Sequence, residues 1–131
     1  MSATRRVLVF GLLFLGCGGS SFKDELTFGT GIDGTGFTLT GASDSFDVAT
    51  TKSVWFRMES AANFNGRFVR LYFNKLEQKD YAACAQKDAH ICLSSFAVST
   101  PGTYQVDAYL VETVVDIGKE TLVTSKTLTL H

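Results

Sequence analysis

Pro101-Gly102-Thr103-Tyr104-Gln105-Val106-Asp107-Ala108-Tyr109-Leu110 holds the pattern on which the fold turns. Pro-Gly is a turn signal. After it, Tyr104, Val106, Ala108 and Leu110 fall on one side, and Gln105, Asp107 and Tyr109 on the other. A period of two means an extended strand with one face against a core.

The same pattern recurs outward from this stretch. Ser53 to Glu59 alternates, with Val54, Phe56 and Met58 on one face and Trp55, Arg57 and Glu59 on the other. Asn63-Phe64-Asn65-Gly66 marks a turn. Arg67 to Asn74 then sets Val69, Leu71 and Phe73 against Phe68, Arg70 and Tyr72. Leu26–Phe28, Phe37–Thr40, Ile91–Ser99 and Thr121–Leu130 read as further strands, separated by breaks such as Gly29–Gly36 and Gly41–Ser45. Lys75 to His90 is polar and reads either as a loop with one helical turn or as an irregular edge strand. Nothing from residue 22 onward keeps a helical period over three turns. Abundant Phe, Val, Leu and Thr with a single Pro suit strands. Short strands with turns every 8–12 residues predict an all-β sandwich or small barrel.

Pro101 to Leu110 also resembles the E–F corner and F strand of immunoglobulin-like domains. There a Tyr precedes the second core cysteine by two residues, and its hydroxyl ties down the corner. Tyr104 matches that Tyr, and Val106 stands where the cysteine would be. The resemblance implies a single antiparallel immunoglobulin-like β-sandwich of about seven strands over residues 24–131, with Glu120–Leu130 as the last strand. The absence of an inter-sheet cysteine pair, and Trp55 on the second main strand, set the chain apart from antibody domains.

The first residues carry a different message. Arg5 and Arg6 precede Val7 to Leu15, an uncharged apolar run closed by Gly16. That is the layout of a secretory signal, and it is too short to span a bilayer, which takes about 20 residues. Phe14-Leu15-Gly16-Cys17 resembles the lipobox of bacterial lipoproteins. The resemblance implies removal of residues 1–16 and acylation of Cys17. Two or more acyl chains hold a protein firmly on a membrane. Thr4-Arg5-Arg6 also fits loosely a twin-arginine signal, but the strongly apolar Leu12–Leu15 favours general secretion. Residues 17–23, with Gly18-Gly19-Ser20-Ser21, read as a flexible tether. Gly18 is not the Asp of an inner-membrane retention signal, which favours the outer membrane in a source with two membranes.

Removing Arg5 and Arg6 leaves ten basic residues against 13 acidic ones, a formal charge of −3. No basic stripe points to nucleic acid. With Cys17 lipidated, Cys84 and Cys92 remain as a pair, and in an oxidising compartment they can form a disulfide. Closing that small loop stabilises by about 2.5 kcal/mol in the chain-entropy account.

Chemistry finds few footholds. Gly29-x-Gly31-x-x-Gly34 spells a dinucleotide fingerprint, but no helix follows to receive the pyrophosphate. Asp80, Cys84, His90 and Cys92 hold zinc-type ligands at a spacing that matches no common finger. Blue copper needs two histidines and a cysteine. Only His131, the last residue and expected to be frayed, accompanies His90. Asp33, Asp44 and Asp47 read as turn acids rather than a calcium loop. No Gly-x-Ser-x-Gly elbow is present. The reading is therefore not an enzyme, with no catalytic residues, no metal and no cofactor.

One surface stands out. If Val69, Leu71 and Phe73 point inward, then Arg70 and Tyr72 point outward; if Tyr104 to Leu110 point inward, Asp107 and Tyr109 point outward. Neighbouring strands would bring Arg70, Tyr72, Asp107 and Tyr109 onto one open face, and Tyr and Arg commonly anchor interfaces. The same four residues can also serve only to pair across strands. The sequence thus predicts a lipid-anchored cell-envelope protein acting as a non-catalytic binding or structural module. Its partners would be the membrane through the lipid and an envelope protein or glycan. The alternatives are a carbohydrate-binding or inhibitor-type module using exposed aromatics, and a small metal-dependent enzyme.

Overall fold

The computed structural model describes residues 21–33, 35, 37–81, 85–87 (backbone), 89–112 and 120–131. The 1–16 segment, Cys17, Cys84 and Gly34 lie outside them. The described chain is all-β, with eleven strands and no helix.

Three strong alternations become central strands. They are β5 (Ser53–Glu59), β6 (Phe68–Phe73) and β10 (Gly102–Val111). Around β5 lies a four-stranded sheet in the order β1 (Glu25–Gly29), β5, β9 (Ile91–Ala97), β8 (Ala85–Lys87). Around β10 lies a five-stranded sheet in the order β4 (Ser45–Phe46), β11 (Thr121–Leu130), β10, β6, β7 (Glu77–Tyr81). The predicted inward residues form one core between these sheets. Val54, Phe56 and Met58 from one sheet meet Val69, Leu71, Val106, Ala108 and Leu110 from the other, all buried. Phe96 of β9 packs edge-on against Phe73 of β6, with ring centroids 5.0 Å apart.

The strand count and direction differ from expectation. Eleven strands replace about seven, and β4 runs parallel to β11 rather than antiparallel. The extra strands are short. β2 (Gly31–Asp33), β3 (Thr38–Thr40) and β4 hold two or three residues each. That is too few for alternation to show in β2 and β4, whereas β3 falls on the predicted Phe37–Thr40 strand. β7 and β8 come from the polar 75–90 stretch that alternation left open. Its β6–β7 turn is made by Asn74 and Lys75, both with positive φ.

β2 and β3 pair into a ribbon laid on β1 and β5. Gly29 permits the close approach, because a Cβ there would sit 2.6 Å from the Thr40 carbonyl oxygen. Arg57 Nε donates to the Phe37 carbonyl at 2.9 Å and Nη1 meets Glu59 Oε1 at 2.8 Å, joining ribbon to sheet.

Both ends of the domain are tied more firmly than expected. Phe22 stacks on His90 with centroids 4.2 Å apart, and the Lys23 amide donates to Glu59 Oε2 at 2.9 Å. So Phe22 and Lys23 belong to the ordered domain rather than to a tether ending at residue 23. His131 is not frayed: its amide donates to the Phe46 carbonyl and its carbonyl accepts from Val48.

Tyr104 is half-buried against the core, and its hydroxyl donates to the Thr100 carbonyl at 2.7 Å. The tie spans the turn between β9 and β10, so it fixes the angle at which the chain crosses between sheets. Tyr104→Phe removes that bond alone and should cost about 1 kcal/mol. Tyr104→Ala also removes the ring and should cost about 3 kcal/mol. Urea melts of both variants check this, and equal costs would mean that the hydroxyl contributes nothing.

Candidate functional site

The β6–β10 register pairs Arg70 with Tyr109 and Tyr72 with Asp107. All four residues thus share the outward face of the five-stranded sheet, as alternation predicts. Their accessibility differs from the expected open face. Arg70 is 0% exposed and Asp107 2% exposed, while Tyr72 and Tyr109 are half-buried. Alternation decides which side a residue takes, and it does not say what covers that side.

The neighbours explain how an arginine is buried there. β7 turns back through Asn74-Lys75 and sets Asp80 opposite Arg70. Arg70 Nε meets Asp80 Oδ1 at 2.7 Å and Nη2 meets Oδ2 at 3.3 Å, a two-pronged pair. Nη1 lies 3.5 Å from Glu120 Oε2, and the guanidinium sits 5.9 Å from the centre of the Phe68 ring. The Tyr72 hydroxyl donates to the same Glu120 oxygen, and the Tyr72 and Tyr109 rings meet edge to face at 5.3 Å. The planar guanidinium suits such forked pairing, which lysine cannot reproduce.

Asp107 is held by a second set of donors. Ser125 Oγ donates to Oδ1, Gln105 Nε2 donates to it at 3.1 Å, and Lys75 Nζ lies 3.3 Å from Oδ2. Burial pushes the Asp107 pKa up, but these three donors outweigh it and hold the carboxyl below its usual range. The bond to Glu120, followed by burial, raises the Tyr72 pKa, so its proton stays on the phenol. The bond to Asp80 raises Arg70 against the opposing effect of burial. These residues form two neighbouring polar clusters that together tie β6, β7, β10 and β11. Asp80, Glu120, Ser125, Lys75 and Gln105 were not legible as members. Finding Asp80 required reading Asn74-Lys75 as a tight hairpin turn, and finding Glu120 required knowing where the chain enters β11.

Of the zinc-type residues, Cys84 lies outside the described residues, and Asp80 and His90 meet different partners. Asp80 faces Arg70 on the five-stranded sheet, whereas His90 stacks on Phe22 and sets Nδ1 2.8 Å from the Ser60 carbonyl. Among the described residues no three His, Cys, Asp or Glu side chains gather as a metal site. Cys92 is fully buried and disulfide-bonded. Cys17 and Cys84, the only other cysteines, lie outside the described residues. Asp33 and Asp47 act as turn acids, accepting from the Thr35 and Ala49 amides. Strands, not a helix, follow the Gly29-x-Gly31 start among the described residues.

A cleft of about 200 Å³ opens between the sheets at one pole. Phe73, Phe96, Val98, Leu128 and Leu130 line it, with Tyr104 at the wall and Glu77 and Lys79 beside it. Leu76, 87% exposed, tips the neighbouring β6–β7 hairpin. The chain matches no protein-family model, no curated protein and no solved structure.

Arg70→Met removes the charged hydrogen bonds of a buried guanidinium and leaves the part-buried Glu120 without its cation, so it should cost about 2 kcal/mol, and Arg70→Lys should recover little of it. Equilibrium melts decide, and a neutral Arg70→Met would mean that the network contributes no stability. Acid should weaken the fold through Asp107. Its folded pKa lies below the unfolded value of about 4, so its contribution is complete above that pH and is lost as pH falls through the folded value. Asp107→Asn should flatten the acid side of a stability-versus-pH curve, measured by melts from neutral pH down to pH 2.

Proposed function

We propose that this chain is an exported lipoprotein whose residues 24–131 form an immunoglobulin-like β-sandwich, serving at the cell envelope as a non-catalytic binding or structural module. The observation that carries the anchor is the charged start, apolar run and Gly16-Cys17 junction. The disulfide of Cys92 supports it, since such bonds persist in oxidising compartments. Cys84 is the partner this reading assigns to it.

Strand order supports the immunoglobulin-like part. β1, β5, β9 and β8 follow the A-B-E-D order of that fold, and β6, β10 and β11 follow C-F-G. The short β7 beside β6 takes the place of the additional C′ strand of variable-type domains. Tyr104, tied to the backbone four residues upstream, takes the place of the corner tyrosine. On this reading β2, β3 and β4 are elaborations of the segment between the first two main strands.

A module role fits the way the polar side chains are used. The carboxylates on the outer face, Asp80, Asp107 and Glu120, accept from Arg70, Tyr72, Ser125, Gln105 and Lys75. They serve the sheet, which leaves the poles and loops as surface for partners.

Mass spectrometry of the N-terminal peptide of membrane-derived protein tests the anchor. The expected species begins at an acylated Cys17. An unmodified N-terminus downstream of Cys17 overturns it. Cys17→Ser should move the protein from the membrane to the soluble fraction or leave it unprocessed. Thiol titration of the unfolded, unreduced protein should find neither Cys84 nor Cys92 free, and two free thiols would refute their bridge.

A further inference from the structure

The residues just after the proposed lipid site are docked at a defined place. Phe22 stacks on His90 at 4.2 Å with the rings 4° from parallel. The Lys23 amide donates to Glu59 Oε2, and Asp24 Oδ1 accepts from the Ala61 amide. Glu59 is further held by Arg57. Three consecutive residues are thus pinned to one end of the four-stranded sheet, where β5 ends and β9 begins.

Strand directions place that end with respect to everything else. β1 starts there, since Glu25 pairs with Glu59 and Glu59 with Ile91. On the other sheet, Val111 pairs with Phe68 at the end where β10 finishes, and the 63–67 turn leads from β5 into β6. Phe64 is buried there, and its amide donates to the Ala89 carbonyl. At the opposite end Gly102 pairs with Leu130, β5 begins, and the cleft and Leu76 lie. A ten-residue strand such as β10 separates the two poles by about 30 Å.

Chain length then limits the geometry. Gly18 to Ser21 is four residues, so a lipidated Cys17 lies at most about 18 Å from Phe22. We propose that the Phe22–His90 stack and the Lys23–Glu59 bond clamp the domain on its anchor. The pole carrying Ser60, Ala62, the 63–67 turn and His90 then lies against lipid headgroups, while the pole carrying the cleft and Leu76 faces the aqueous phase. The inference rests on the lipid reading above, and it names which end of the module is free to meet a partner. A side chain entering the cleft would come from a molecule in solution and not from the membrane that holds the protein. The outer faces of both sheets run roughly along the membrane normal in this pose.

Energy transfer to a membrane dye tests the orientation. Two variants of the full chain, Ala62→Trp and Leu76→Trp, each in a Trp55→Phe background, are expressed, processed and purified from membranes. Both positions are exposed, so each tryptophan is accommodated on the surface. Melts verify that both are folded. The proteins are reconstituted into phosphatidylcholine vesicles bearing a dansyl headgroup lipid. Transfer from Ala62→Trp should exceed that from Leu76→Trp several-fold, and adding Phe22→Ala should narrow the gap. Equal transfer, or more from Leu76→Trp, overturns the orientation. Flotation with the vesicles separates the two claims. A protein that floats and transfers evenly refutes the clamp alone, and one that does not float refutes the anchor and the orientation with it.

Discussion

The antiparallel pairing of β6 with β10 is the constraint on which the rest depends. Its register sets Leu71 against Ala108 and Tyr109 against Arg70. One side of the pair therefore supplies the centre of the apolar core, and the other supplies a buried charge network. A slip of one residue would exchange the two sides, placing Arg70 among Val54, Phe56 and Met58. Burying an unpaired guanidinium in that core is far costlier than losing one strand pair. Core and network thus reject the same error from opposite faces.

The outer network covers a sheet face that in many antiparallel sheets is wet. A buried ion pair seldom adds stability over a well-packed apolar replacement, because desolvation offsets attraction. Its role here is better understood as joining elements. Arg70 gathers Asp80 from β7 and Glu120 from the entry to β11, while Asp107 gathers Ser125 from β11 and Lys75 from the hairpin turn. Without those partners β7 would be a polar edge hairpin with little apolar surface to hold it. With them, the strand that alternation left ambiguous acquires a fixed place.

The legibility of each strand in the sequence tracks the length of its alternation. Seven residues at β5, six at β6 and ten at β10 were enough to assign faces correctly, and Pro101-Gly102 with Tyr104 was enough to foresee the hydroxyl tie. β2 and β4 were too short for any period, while β3 was legible in Phe37–Thr40. The β2–β3 ribbon forms because Gly29 lets it lie close, and β4 forms because it finds the end of β11. The expected open face failed for another reason. Exposure of Arg70 and Asp107 depends on Asp80, Glu120 and Ser125, which are distant in sequence and come together only through tertiary pairing. The docking of Phe22 on His90 was hidden likewise, since neither aromatic belongs to a periodic run.

Backbone NMR of the isotopically labelled protein tests the central register most directly. Cross-strand nuclear Overhauser effects should join Tyr72 with Asp107 and Arg70 with Tyr109, and the Arg70 Nε proton should exchange slowly, as expected for a buried guanidinium. Contacts joining Asp107 with Leu71 or Phe73 in place of Tyr72, or a rapidly exchanging Arg70 side chain, would contradict the account.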